Sequence, residues 1–465
     1  MNPRALALDV GSTRLKLAAL MENGSLKSLG DRAFPAYSGK GLIRESDPVS
    51  FRDRIDALLR KAVVLRSGSP LGLSVQRSSF LIWDSATGRP LTKILSWQDR
   101  RAENWCQERQ HLQPTLWEKT GLPLSPHYAG PKLAFLLATY PWLAKMAAKG
   151  KCCFGTLDTF LIWHWSGGQS WQIEEGMAAR TLLLKRDSGN WDLEILDQFG
   201  IPRSILPEIV KRPDPGCITP GGWEVRSVVP DQTAAVLPLL ELFPNAGVLN
   251  AGTGTFLLRQ ARGSAPSPFI TMPRPGNSNG KFDTYWEGTI NAGALLWNRW
   301  KTYLVPEEIP LDRHFAAPEE MGWAAPYWRG DLGQICTDPN LPNSMRANLL
   351  LEGYVFRIRQ IVEALFLGQT PQPFIFGGGL VQDMDWVHFV AKRLPWPIFT
   401  LNNHQLSLWG AGWKADHYQL RVPFQPQPVQ VTFQDVYEAR YHVWLEWMAS
   451  VANSASSGKE KFYST

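Results

Sequence analysis

The stretch ALALDVGSTRLKLAAL, residues 5–20, decides how this chain is read. An apolar run ends on Asp9, Gly11-Ser12-Thr13 follow directly, and a second apolar run resumes at Leu15. Arg14, Lys16 and Ala18 alternate with Leu15, Leu17 and Ala19, the period of a half-buried strand. Glu22-Asn23-Gly24 then supplies a hairpin turn, and residues 25–34 run on as a third strand, so the chain is expected to open β-β-β. The polar tip of the first strand pair calls for an explanation beyond core packing. A glycine lets backbone approach an anion with its N–H groups pointing at phosphate oxygens, and Ser12 and Thr13 add neutral donors. A tight hairpin accounts for the loop equally well. Asp9 favours the phosphate reading, because a carboxylate beside a phosphate repels it unless a cation lies between. Mg²⁺, held through water by one or two carboxylates plus phosphates, meets that need.

The same layout returns about 240 residues later. In GVLNAGTGTFLLRQ, residues 247–260, Asn250 takes the place of Asp9, Gly252 that of Gly11 and Thr253 that of Ser12. At 465 residues the chain is too long for one ordinary core,. The echo falls where a second domain would begin, and we divide the chain into 1–236 and 237–465. Two such loops facing across a cleft would grip a polyphosphate. Neither is the strand–GxxxxGK[ST]–helix phosphate loop, since strands follow both glycines.

Between the echoes, Asp47-Pro48 reads as a helix start, with Phe51, Ile55, Leu58, Leu59 and Ala62 on one stripe. Strands are expected at 71–76, 79–84 and 94–97, and helices at about 99–112 and 130–147. VVPDQTAAVLPLL (228–240) reads as a strand, a polar joint and a helix start. In the second half, strand then helix cover 284–300 and a long amphipathic helix covers 344–365. FIFGGGL (374–380) is a strand running into three glycines, 396–401 is a strand, about 405–416 is a helix, and the polar tail 456–465 frays.

Composition excludes several classes. The chain is 44% hydrophobic and 19% charged, as soluble globular proteins are, and no run reaches the ~18 apolar residues of a membrane span,. No signal-peptide layout opens the sequence, and the five cysteines lack C-x-x-C spacing, so reduced thiols, a cytoplasmic location and no structural metal are expected,. The net charge of +6 is scattered among 42 acidic residues, which gives no nucleic-acid patch,. The 21 tryptophans have no explanation in the sequence.

The string from Asp9 to Lys16 resembles the first phosphate loop of the FGGY carbohydrate kinases, a family including glycerol, xylulose and ribulose kinases. The resemblance continues in order: VQRSSFLIWDSATGRPLTKILSWQDRRA (75–102), GTLDTFLIWHWSGG (155–168), WDLEILDQFGIPRSILPEI (191–209), PDQTAA (230–235), GTGTFLL, WEGTINAG, LEGYVFR and FGGGL. It implies an α/β fold of two actin-like ATPase (ribonuclease H-like) domains with the active site in the cleft between them. It also implies transfer of the ATP γ-phosphoryl group to a hydroxyl of a small polyol or ketose, with ATP and Mg²⁺ as cofactors. Asp231 would be the general base and Asp9 the Mg²⁺-side carboxylate. Ser12, Thr13, Lys16, Gly252, Thr253 and Gly254 would hold phosphates, and Gly377, Gly378 and Gly379 would let adenine and ribose lie against a strand end. By alignment Gln76, Arg77, Trp97, Gln232 and Phe256 would face the acceptor.

The acceptor site departs from its relatives. Glycerol kinases carry Q-R-E where this chain has Gln76-Arg77-Ser78, and P-Y-F-S where it has Pro126-His127-Tyr128-Ala129. The Q-M-H-G of xylulose kinases is absent, as is the P-x-x-x-G-E-R-x-P of pentulose kinases at 324–333. His127 is either an acceptor contact, a histidine behind one, or a surface histidine. Two changes at a hydroxyl-binding site alter specificity. The leading reading is therefore a small-molecule kinase with no nucleic-acid or membrane partner, for which a homo-oligomer is compatible. The rival is a nucleotide-gated binding or regulatory module of the same fold without turnover.

Overall fold

In the computed structural model, β1 (Pro3–Val10) and β2 (Arg14–Met21) pair antiparallel, with Asp9 opposite Lys16. The Gly11 N–H closes the turn on the Arg14 carbonyl at 3.1 Å. β3 (Leu26–Ala33) pairs with β2, so the β-β-β opening is found. The structure describes residues 3–62, 68–211, 213, 216–252, 254–266, 269–273, 284–290, 293–304, 315–318, 334–336, 342–401, 405–420 and 423–456. Contacts divide it into two units: Met1–Pro238 with Met272–Asp283 and Gln405–Pro423, and Leu239–Thr271 with Thr284–His404 and Phe424–Thr465.

In the first unit α1 (Pro48–Lys61) starts as its sequence dictates. The Asp47 carboxylate accepts the Ser50 N–H, Pro48 occupies the first turn, and Phe51, Ile55, Leu58 and Leu59 are buried,. β4 (Pro70–Val75) runs parallel to β1, setting Ser74 opposite Asp9, and β5 (Glu224–Pro230) runs parallel to β4 at the sheet edge. α2 (Asp231–Leu242) begins at the next residue. A separate sheet orders Glu45–Ser46, Ile94–Leu95, Phe80–Asp84 and Cys152–Thr156. The expected helix at 99–112 shortens to Glu103–Glu108 plus a 3₁₀ turn at Gln110–Leu112, and that at 130–147 splits into Ala129–Thr139 and Pro141–Ala148. Pro141, which cannot continue a helix from Tyr140, makes the break.

The second unit repeats the first in its strands. β6 (Gly247–Ala251) and β7 (Thr255–Ala261) pair antiparallel, setting Asn250 opposite Phe256. Ile270–Pro273 (β8) lies at the sheet edge beside β9 (Thr284–Ile290), which pairs antiparallel with β7. α3 (Asn343–Leu365) buries Leu350, Val355, Ile358 and Val362 against this sheet's core. β10 (Phe374–Gly377) runs parallel to β6, β11 (Ile398–Thr400) parallel to β10, and β12 (Gln427–Pro428) closes the far edge. The strand order β5-β4-β1-β2-β3 of the first unit thus recurs as β11-β10-β6-β7-β9, with the same parallel and antiparallel senses. Asp9 and Asn250 hold equivalent places in the two echoes, each with an antiparallel partner on one side and a parallel one on the other.

Two helices complete the picture. α4 (Leu406–Ala415) follows β11 in the chain yet packs on the sheet of the first unit, where sequence order had grouped it with the second half. α5 (Val436–Ser456) was not anticipated. Its Tyr441 and Trp444 are buried on Phe356, and Arg440 Nε donates to Glu352 at 3.0 Å. Many tryptophans serve as core side chains with one polar handle. Trp409, Trp223 and Trp191 are buried and donate their indole N–H to the carbonyls of Gly24, Leu59 and Pro207,. The segment 324–333 and the end of the tail lie outside the described residues. Among the described residues no helix is long and apolar enough to cross a membrane.

Backbone sets the approach of α4. A Cβ on Gly72 of β4 would stand 2.0 Å from the Ala411 carbonyl oxygen, and one on Gly410 1.9 Å from that of Ala234. Gly72→Ala is therefore expected to destabilise the first unit by about 1–3 kcal/mol, read as a lower urea midpoint.

Candidate active site

Asp9 closes β1 with its Oδ1 accepting the Ser74 hydroxyl at 2.7 Å. Burial pushes its carboxyl above the usual range, against the pull of Ser74, the Lys16 ammonium and the Ser407 hydroxyl. Ser12 is half-buried and Thr13 exposed at the turn. In the second unit the Gly252 N–H donates to the Gly254 carbonyl at 2.9 Å, and the Gly252 carbonyl accepts from Ala294 at 2.8 Å. Thr253 lies outside the described residues.

Gly252 and Gly379 line an open cavity of about 700 Å³ together with Ala294, Asn298 and Asp383. Gly377 ends β10 and Gly378 turns the chain at φ 90°, its Cα so near the Ala251 carbonyl that a Cβ would stand 2.3 Å away. Asp383 caps helix Met384–Ala391 and accepts the Lys301 ammonium and the Trp297 indole, each at 2.8 Å. Burial raises its carboxyl, but Lys301, Trp297 and the Trp386 amide together hold it below the ordinary value. Asp383 and Asn298 lie 85 residues apart in sequence, and nothing local marks either as part of one cavity.

The acceptor residues expected in the first half form one connected cluster. Asp231, at the head of α2, accepts the Gln232 N–H at 2.8 Å and lies 3.9 Å from Arg77 Nε. Arg77 and Gln76 are buried. The Gln76 amide donates to the Gly11 carbonyl at 3.3 Å and accepts the Ser79 hydroxyl at 3.0 Å, joining the first phosphate loop to this wall. Ser79 in turn accepts the Trp97 N–H at 3.0 Å. The Trp97 ring meets His127 edge-on at 5.1 Å, and His127 meets Tyr128 at 5.5 Å. Burial, then Arg180, Lys132 and Arg77, push the His127 imidazole well below its ordinary value, so it is neutral at pH 7. Ser78, where an acidic residue stands in the glycerol-kinase string, donates its hydroxyl to the Arg180 carbonyl at 3.0 Å. Phe256 is half-buried on β7 of the second unit, beside Gly254. Sequence reading did not single out Lys132 and Arg180. Lys132 is buried, donates to the carbonyls of Ser96 and His127, and is pushed down by burial to about 7.

A buried charged group lies beside the strand that leads into Asp231. Glu174 Oε2 accepts the N–H groups of Gly176 and Met177, Lys414 Nζ lies 3.8 Å from Glu174 Oε1, and Asp158 adds a second carboxylate.

The fold is that of a two-domain sugar kinase. The chain superposes over 97% of its length on Plasmodium falciparum glycerol kinase with ADP, covering 99% of that chain at a TM-score of 0.78 and 20% identity. Ligand-bound xylulose kinase from Lactobacillus acidophilus matches over the same shares at 0.79 and 18%. Residues 4–214 match the N-terminal domain of the FGGY family of carbohydrate kinases. A glycerol kinase of Thermus brockianus is 30% identical over 444 residues, 88% of each chain, and one of Alkalilimnicola ehrlichii 31% over 440, covering 87% of this chain and 88% of that one. The chain belongs to the FGGY family of carbohydrate kinases, and its α/β fold is the pair of actin-like ATPase domains of that family. It is an ATP-dependent carbohydrate kinase.

Burial holds the Asp158 carboxyl up at about 6, against an ordinary 3.8. The folded state keeps this proton longer than the unfolded one, so the stability it contributes is complete below pH 3.8 and is lost as pH rises through about 6,. Urea unfolding at pH 4.5 and 7 is expected to show the wild type losing about 1–3 kcal/mol relative to Asp158→Asn across that interval.

Proposed function

We propose that this enzyme transfers the γ-phosphoryl group of ATP to a hydroxyl of a small polyol or ketose, with Asp231 as general base. The observation that carries the reading is Asp231 itself. It heads a helix, is part-exposed, and lies 3.9 Å from a buried Arg77 in a wall that includes Gln76, Trp97 and a neutral His127. Asp231 accepts the proton of the acceptor hydroxyl as that oxygen bonds to the γ-phosphorus. The bond from the γ-phosphorus to the β–γ bridging oxygen breaks, and ADP leaves. Arg77 orients the Asp231 carboxylate, and the Trp97 face packs on the carbon skeleton of the acceptor. His127, being neutral, both donates and accepts a hydrogen bond at pH 7.

Ser12, Thr13, Lys16, Gly252, Thr253 and Gly254 are assigned to the phosphates, and Gly377–Gly379 with the cavity beside them to the nucleoside. Asp9 fits a hydrated Mg²⁺, because it is a lone carboxylate at a strand tip whose burial penalty a cation relieves,. Bound there, Mg²⁺ supplies charge neutralisation on the phosphates. The cytoplasm is the compartment proposed.

Purified protein with ATP and Mg²⁺, assayed for ADP release over glycerol, pentuloses and other polyols, is expected to turn over at least one acceptor. Asp231→Asn is expected to lower kcat for it by about 10²–10⁴-fold. Nucleotide binding without acceptor-stimulated turnover, and ATPase unchanged in Asp231→Ala, would instead favour the binding module suggested by Ser78 and His127. Independently, Gly378→Ala is expected to weaken ADP binding at least ~10-fold by calorimetry, because the new methyl pushes the β10 end off the Ala251 carbonyl,.

A further inference from the structure

α4 packs on the first unit's sheet, and Ser407, Gly410, Ala411 and Lys414 lie along one side of it. Their spacing of i, i+3, i+4 and i+7 places them on a single stripe. Ser407 reaches the Asp9 carboxylate, and Gly410 lies bare against the carbonyl of Ala234, three residues beyond Asp231. The Ala411 carbonyl accepts the Ser227 hydroxyl at 3.2 Å. At the end of the stripe the buried Lys414 Nζ donates to the Val228 carbonyl at 3.1 Å, three residues before Asp231 on the edge strand β5. The same ammonium lies 3.8 Å from Glu174 Oε1. The other oxygen of Glu174 caps the short helix Glu175–Ala178, which leads directly to Arg180 of the acceptor wall. Asp158 and Glu175 are the further carboxylates whose charge is felt in this group.

A long, flexible lysine is an expensive choice for so buried a place unless its charge is used. We propose that Lys414 is a positioning residue for phosphoryl transfer: bridging Glu174 and the Val228 carbonyl, it clamps the strand that leads into Asp231 to the segment that carries Arg180. This rests on the kinase reading above only for its catalytic consequence. Carboxylate and ammonium each lose solvation here, and together they compensate. Burial holds Glu174 at about 7, so near neutrality it takes up a proton when the ammonium is removed, and Lys414→Met is expected to fold.

The test uses the full-length protein. In Lys414→Met, hydrogen–deuterium exchange of a peptide spanning 225–236 is expected to speed up about 10-fold or more, while one spanning 345–365 is unchanged. With the acceptor that the wild type phosphorylates, kcat is expected to fall about 10- to 100-fold with the KM for ATP within about twofold, and Lys414→Arg to recover most of the loss. Glu174→Gln, which keeps the helix cap, is the second variant and is expected to show both changes at about 3- to 10-fold. Unchanged exchange at 225–236 in folded Lys414→Met overturns the clamp, as does faster exchange with unchanged kcat, or Lys414→Arg no better than Lys414→Met. If the wild type turns over no acceptor, the kinase reading fails on its own and the exchange result alone decides the clamp.

Discussion

The first unit is organised by one contact between bare backbones. Gly72, in the middle of β4, admits the Ala411 carbonyl of α4 at a distance no side chain would allow. Because that approach is so close, the hydroxyl of Ser407 reaches Asp9 and the ammonium of Lys414 reaches Val228. One helix thereby touches the neighbourhoods of both carboxylates assigned to the chemistry. A side chain at Gly72 or Gly410 would lift the helix, and the polar contacts at its two ends would lengthen together.

The two units share a strand plan but not its electrostatics. Asp9 and Asn250 occupy equivalent strand ends, each with an antiparallel partner on one side and a parallel one on the other. Only the first is a carboxylate. The duplicated plan supplies two glycine turns that close differently, the Gly11 N–H on the Arg14 carbonyl and the Gly252 N–H on the Gly254 carbonyl.

Much of the fold was legible locally. The hairpin at Glu22–Gly24, the capped start of α1 and the strand running into Gly377–Gly379 follow from turn residues, a cap and hydrophobic period,. The break at Pro141 and the shortening near Glu103 were misjudged because apolar periodicity ran on through both interruptions. α5 was missed for another reason: its aromatic residues take their meaning from Phe356 and Phe315, more than 80 residues away. Tryptophans such as Trp409, Trp223 and Trp191 likewise make sense only in space, where the indole N–H finds a distant carbonyl.

The sequence by itself determined the family, the repeated loop and the identity of Asp9, Arg77 and Asp231 as residues to watch. The loop and Asp9 rest on short strings whose chemistry is local, a glycine beside hydroxyls and a carboxylate at a strand end, while Arg77 and Asp231 rest on the resemblance to the family. Only the tertiary structure decided that α4 belongs to the first sheet, that His127 is held neutral by burial and then by cations from three separate segments, and that Lys414 meets Glu174 beside the strand leading into Asp231. Burial and long-range pairing set those properties. Neither is written in any window of residues, because each depends on which distant segment displaces the water.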